Sequence, residues 1–366
     1  MSDLLARIRA EIATRGPMRL DRFWNLALFD AQGGYYTKRD PFGADGDFTT
    51  APDISQMFGE LLAAWCFAAW DGLGRPSPFV LAEVGPGRGT LMADMLRSFR
   101  QFDPAFGRAV RTRLVETSDR LTEIQRQRLA RFDLPIRWCR RVEDLEALPM
   151  IFVANELLDA VAIRQLRFAD GAWRERTVVT EGDSLALAEG PPLRQVPAVL
   201  ARLPAPRRGD IFEWSPERDA LCLALAERIG ANGGAALLID YGHTRTGFGD
   251  TLQALRRHEY APLLERPGEA DLTSHVDFER VGALFAGVPR LHRALATQGE
   301  FLLAMGLVER AGRLGREGDA AAQAAISAAV HRLAGNAAGQ MGVLFKVFAA
   351  SSAPLRLPPF PCDPSD

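Results

Sequence analysis

Residues 81–97 read LAEVGPGRGTLMADMLR, and the fold turns on them. An apolar run closes on Glu83 and Val84, a turn with Gly85, Gly87 and Gly89 follows, and an amphipathic helix opens at Thr90. Glycines at such a corner let a ligand approach the backbone, and the new helix offers unpaired N–H groups. A dinucleotide fingerprint needs a third glycine where Thr90 stands. Glu83, two residues before the first glycine, would repel a pyrophosphate and attract an ammonium group.

A second apolar run, TRLVETS, ends at Glu116. In a parallel sheet, the acid closing the second strand lies beside the glycine turn of the first and can accept from both hydroxyls of a ribose. Together the two features point to an adenosine cofactor without a pyrophosphate, and S-adenosyl-L-methionine fits best.

Outward from this core, PFVLAEVG, TRLVETS, MIFVANELLDA, GGAALLIDYG and MGVLFKVFAA are strand candidates. Amphipathic stretches such as DRLTEIQRQRLARF alternate with them. This predicts an α/β fold: a parallel, Rossmann-like sheet covered by helices on both faces. Residues 1–75 read as an N-terminal helical layer holding a lid loop, 33–53. Residues 76–350 form the main domain, with a β insertion at about 163–213, a helical insertion at about 245–335, and a tail at 351–366. In the β insertion, two-residue alternation and the turns Ala169-Asp170-Gly171 and Glu181-Gly182-Asp183 predict antiparallel hairpins. The first residues read as an amphipathic helix with Leu4, Leu5, Ile8 and Ile12 on one face.

At 366 residues, 47% hydrophobic and 25% charged, the chain is long enough for a sizeable core and unlike a disordered one. Its longest apolar run, Leu61 to Trp70, is too short to cross a bilayer, so no membrane insertion is expected. The beginning has neither a secretory apolar stretch nor, given Asp3 and Glu11, the acid-poor character of a transit peptide. The four cysteines form no CxxC pair and the five histidines show no HExxH spacing, so no metal is expected. Such cysteine usage suits a cytoplasmic protein. Only Lys38 and Lys346 among the 44 basic residues are lysine, and no basic stripe supports nucleic-acid binding.

The segments LAEVGPGRGTLMADMLR, LVETSDRLTEIQ, FVANELLDAVAIRQ and GGYYTKRDPFGADGDFTTAPDISQMFGELLAAW resemble the MidA-like family of class I S-adenosylmethionine-dependent methyltransferases. So do GGAALLIDYGH, PGEADLTSHVDF, TQGEFLLAMG and MGVLFKVFAA. The resemblance runs from about Leu20 to Ala350, and DPFGADGDFTTAPDISQMFGE is its most specific stretch. It implies a seven-stranded methyltransferase sheet and S-adenosyl-L-methionine as cofactor. It also implies a protein substrate, because mitochondrial members symmetrically dimethylate an arginine in a subunit of respiratory complex I (NADH dehydrogenase) and assist its assembly.

Arginine methylation needs carboxylates that grip the planar guanidinium. Glu156 and Asp159, in NELLD after the fourth strand, are the first and second candidates, by analogy with other arginine methyltransferases. The competing reading has Asn155 capping a helix and Asp159 solvating its first turn. Asn155 otherwise joins Glu83, Gly85, Gly87, Gly89, Thr90 and Glu116 on the cofactor, with Asp144 meeting the adenine amino group. Asp240, at the end of AALLID, can face the pocket. His243, or its rival His275 with Asp277 as orienting partner, can accept a proton. Tyr35, Tyr36, Phe48, Thr49 and Thr50 fit a lid over the site, and equally an aromatic anchor for the loop. The alternatives are a small-molecule methyltransferase, and an assembly protein with a vestigial pocket.

Overall fold

The computed structural model describes residues 3–38, 49–132, 134–316 and 318–361. Phe48 and most of the expected lid loop lie outside them. The chain divides into two compact units.

The larger unit comprises Thr49–Leu157, Leu221–His243 and Phe278–Asp366. Its sheet holds β1 (Phe79–Val84), β2 (Val110–Val115), β3 (Arg137–Cys139), β4 (Met150–Asn155), β5 (Gly234–His243), β6 (His292–Thr297) and β7 (Phe345–Ser351). The order across it is β6-β7-β5-β4-β1-β2-β3. Neighbours from β5 to β3 run parallel, whereas β7 is antiparallel to both β5 and β6. The seven strands along this path make the Rossmann-like arrangement expected. Strand order reverses between β1 and β4, and in such sheets ligands bind at the carboxyl ends of the strands at that reversal.

Every residue of β1 is buried, as a central parallel strand demands, and Glu83 is its one charged member. Helix α1 (Gln56–Gly72) is capped by Ser55, whose hydroxyl accepts from the Met57 amide at 3.2 Å. It buries Met57, Phe58, Leu61, Leu62, Trp65, Ala69 and Trp70 in one core with Leu81, Ile151 and Val153. Full burial of each large side chain contributes about 1.5–3 kcal/mol. That burial explains why residues 49–72 belong to this unit and not to a separate N-terminal layer. The same core takes Leu355, Leu357 and Phe360, so residues 351–361 are packed rather than a loose tail. Trp65 Nε1 donates to the Pro358 carbonyl at 2.7 Å.

The smaller unit comprises Met1–Phe48, Leu158–Ala220 and Thr244–Asp277. Its first helix, Asp3–Arg15, buries Leu4, Ile8 and Ile12. Strands Arg164–Ala169 and Ala172–Glu181 form a hairpin through Asp170 (φ 50°) and Gly171 (φ 77°), the positive pair a two-residue turn requires. Ser184–Pro192 extends the sheet on one side and Ile211–Trp214 on the other. The helical reading of 245–335 needs correction. Gln253–Arg256, Glu259–Tyr260 and Asp271–Thr273 make a three-stranded sheet, helix resumes at Phe278, and His292–Thr297 is β6. These strands are two to six residues long, too short for a window of helical periodicity to register them.

Candidate active site

The carboxyl ends of β1, β2 and β4 carry the chemistry. Glycine is required at the turn after β1: Gly85 (φ 69°) and Gly89 (φ 76°) occupy the left-handed region. A Cβ on Gly85 would lie 2.6 Å from Cδ1 of Leu157, so the glycine turn and the segment after β4 touch. Gly89 is the N-cap of helix α2 (Thr90–Phe99), whose first-turn amides face the end of β1. The Met92 amide donates to Glu83.

Glu83 is 3% exposed, and burial pushes its carboxyl well above the ordinary carboxylate range. Its Oε2 is buried without a hydrogen-bond partner. The same holds for Oδ1 of Asn155, at the end of neighbouring β4. Buried orphan acceptors are costly, and both oxygens ask for N–H donors from a ligand. An ammonium supplies three, so the residues present fit the amino-acid end of the expected cofactor.

Glu116 closes β2. Its Oε1 accepts from the Ser118 amide at 2.8 Å and its Oε2 from Gln125 Nε2 at 3.1 Å, leaving further lone pairs for hydroxyl donors. Desolvation raises its carboxyl above the ordinary value, so a ligand donor would meet an incompletely hydrated acceptor.

Glu156 follows β4 with φ 51°, a left-handed conformation costly for a non-glycine residue and common at functional sites. Its Oε1 accepts from the Ala51 amide at 3.3 Å and from Asn155 Nδ2 at 3.1 Å. Asn155 thus orients Glu156 instead of capping a helix. Thr50 is drawn in through Asp53, whose carboxylate accepts from Thr50 Oγ1 at 3.0 Å and Thr90 Oγ1 at 3.3 Å. Arg128 Nη1 donates to Thr90 Oγ1 at 2.9 Å. Thr49 immediately precedes this network.

Asp240 is fully buried in β5, directly after Ile239, which pairs with Asn155, and it accepts from the Tyr241 amide at 2.9 Å. Asp144 is exposed, and its carboxylate caps a local turn at the Arg141 amide (3.0 Å). His243 ends β5, with Nδ1 buried and unpartnered.

Asp159, His275, Tyr35 and Tyr36 belong to the smaller unit. Tyr35 is fully buried, and Tyr36 stacks on Phe29 while its hydroxyl bonds Asp271 at 3.1 Å. Both rings therefore help anchor the fold. Asp159 is 6% exposed, and His275 lines a cavity of about 430 Å³ with Asp250, Thr251 and Tyr260. Asp277 accepts from Thr246 Oγ1 at 2.6 Å. Among the described residues no group of three His, Cys, Asp or Glu can hold a metal, and no helix is long and apolar enough to cross a membrane.

Sequence reasoning missed Gln125, Asp53 and Arg128. One signal was available: Gln125 interrupts the apolar stripe Leu121, Gln125, Leu129 on helix α3 (Asp119–Leu129), and all three are buried.

Residues 61–292 match a family model described as S-adenosyl-L-methionine-dependent methyltransferase. The zebrafish (Danio rerio) mitochondrial protein arginine methyltransferase NDUFAF7 is 34% identical over 332 residues, covering 84% of this chain and 77% of the relative. The Drosophila melanogaster homologue is 36% identical, covering 76% of this chain and 69% of the relative. A crystal structure from Burkholderia thailandensis, bound to S-adenosyl-homocysteine, superposes with TM-score 0.82 at 28% identity, covering 95% of this chain and 91% of that one.

Proposed function

Because the chain belongs to the S-adenosyl-L-methionine-dependent methyltransferase family whose model it matches, we propose that it methylates an arginine of a protein substrate. The observation that carries this reading is Glu156. Its carboxylate is fixed at the strand-order reversal by the Ala51 amide and Asn155, on a strained backbone (φ 51°). The names of the relatives, protein arginine methyltransferases, support the same acceptor class.

Bound S-adenosyl-L-methionine supplies an activated methyl group on a sulfonium. Glu83 and Asn155 receive its ammonium, and Glu116 receives its ribose hydroxyls. The glycine turn admits it close to the backbone. Glu156 grips the substrate guanidinium by its planar fork, holding one nitrogen in line with the methyl carbon. Methylation replaces one N–H proton of the guanidinium, which passes to water, so the product stays a cation that the Glu156 carboxylate continues to balance. A respiratory NADH dehydrogenase (complex I) subunit is the finer proposal, supported by likeness to the mitochondrial relatives. A cytoplasmic location is supported by Cys66, Cys139 and Cys222, all carried as thiols.

The test offers methyl-labelled cofactor to separated protein and metabolite fractions of the native cell. Label that enters a protein band with wild type and not with Glu156→Gln supports the reading. Label in metabolites alone would replace it with a small-molecule methyltransferase.

A further inference from the structure

Gln125 is fully buried on α3, and every polar atom of its side chain is engaged. Its Oε1 accepts from Trp138 Nε1 at 2.8 Å. Its Nε2 donates to the Gly87 carbonyl at 2.7 Å and to Glu116 Oε2 at 3.1 Å. An indole nitrogen can only donate, so Trp138 fixes which way the amide faces. The oxygen must point to Trp138, and the two amide hydrogens to Gly87 and Glu116. Trp138 is itself held in β3, under the guanidinium of Arg126 at 5.3 Å.

We propose that Gln125 is a positioning residue for the cofactor's ribose, tying the carboxylate at the end of β2 to the glycine turn after β1. The proposal rests on the reading of Glu116 as the ribose acceptor. With Ser118 fixing one carboxylate oxygen and Gln125 the other, the plane of Glu116 is set before a ligand arrives. The same amide holds Gly87, so turn and acceptor move as one body. Without Gln125 the carboxylate keeps the Ser118 and Thr117 amides but loses the side-chain donor on Oε2 and must be ordered during binding, which lowers affinity most for ligands that use it. A glutamine that merely fills the core would act differently, since its loss would weaken every ligand through the stability of the fold.

The experiment measures calorimetric affinities of S-adenosylhomocysteine and its 2′,3′-dideoxy analogue for wild type, Gln125→Leu and Trp138→Phe. Two charge-assisted hydrogen bonds are worth about a hundredfold or more, the preference expected of wild type for the natural ribose. Gln125→Leu should cut that preference to roughly tenfold or less, with affinity for the dideoxy analogue falling less than that for the natural ligand. Trp138→Phe, which keeps a ring and removes the N–H that locks the amide, should fall between the two. An unchanged preference in Gln125→Leu, or equal weakening of both ligands, overturns the proposal. Should Gln125→Leu not fold, Trp138→Phe carries the same comparison: a wild-type preference in it overturns the proposal. No preference in wild type would refute the Glu116 reading itself, and this proposal with it.

Discussion

Replacing Gly85 by alanine puts a methyl carbon 2.6 Å from Cδ1 of Leu157, where carbon atoms rest at about 3.5–4.0 Å. Two separate penalties follow. Leu157 is half-buried and can rotate away, at roughly 0.5–1.5 kcal/mol for an off-rotamer side chain. The backbone at φ 69° costs a residue with a Cβ about 1–2 kcal/mol more. Their sum, about 1.5–3.5 kcal/mol, corresponds to roughly 10- to 300-fold in affinity if the turn relaxes and the cofactor must restore it. The assay is calorimetric binding of S-adenosylhomocysteine to Gly85→Ala, Leu157→Ala and the double variant, with melting curves of each. The double variant should recover the steric share, about fivefold, and not the backbone share. Gly85→Ala with wild-type affinity and melting would refute the reasoning, and full recovery in the double variant would remove the backbone part of it.

Glu156→Gln should bind cofactor as wild type does, since its amide oxygen can still accept from Ala51, while turnover falls by about a hundredfold or more; wild-type turnover in radiolabel transfer would exclude the guanidinium grip. The raised carboxyl of Glu83 means that the folded apo protein keeps a proton the unfolded chain has lost, so this group's contribution to stability declines as pH rises from the ordinary 4.5 through its folded value. Glu83→Gln should therefore melt higher at pH 7 than wild type and bind the cofactor more weakly, and wild-type binding should release a proton, detectable as a buffer-dependent heat. Glu146 is pushed the other way, down to about 2, first by hydrogen bonds from Arg113. Its contribution is present above 4.5 and lost as pH falls towards 2. Glu146→Gln leaves the buried Arg113 without its charge partner and should cost about 3 kcal/mol in denaturant titration, with cofactor affinity unchanged.

The sheet was legible because β1, β4 and β5 are near-continuous apolar runs, and because Glu83 and Glu116 fall at or just past the carboxyl ends of β1 and β2. Glu156 was legible for the same reason, following the apolar strand β4. What escaped depends on pairing between distant segments. Whether α1 joins the sheet or an N-terminal layer is decided by what covers Trp65 and Trp70, and periodicity within α1 cannot reveal that. Tyr35 and Tyr36 read equally as lid or anchor until Phe29 and Asp271 are found against Tyr36. Asp53 and Arg128 are ordinary charged residues in sequence, and they matter because Thr90 lies between them. Gln125 did carry a local signal, a polar side chain in an apolar stripe, yet its meaning needs Trp138, Gly87 and Glu116 in place.

The measurement that tests the central claim most directly is amino-acid analysis of acid-hydrolysed protein after incubation with methyl-labelled cofactor and the enzyme. The account predicts label eluting as methylated arginine with wild type and lost with Glu156→Gln. Label eluting as methylated lysine, histidine or carboxylate, or methylarginine formed equally by Glu156→Gln, would contradict it.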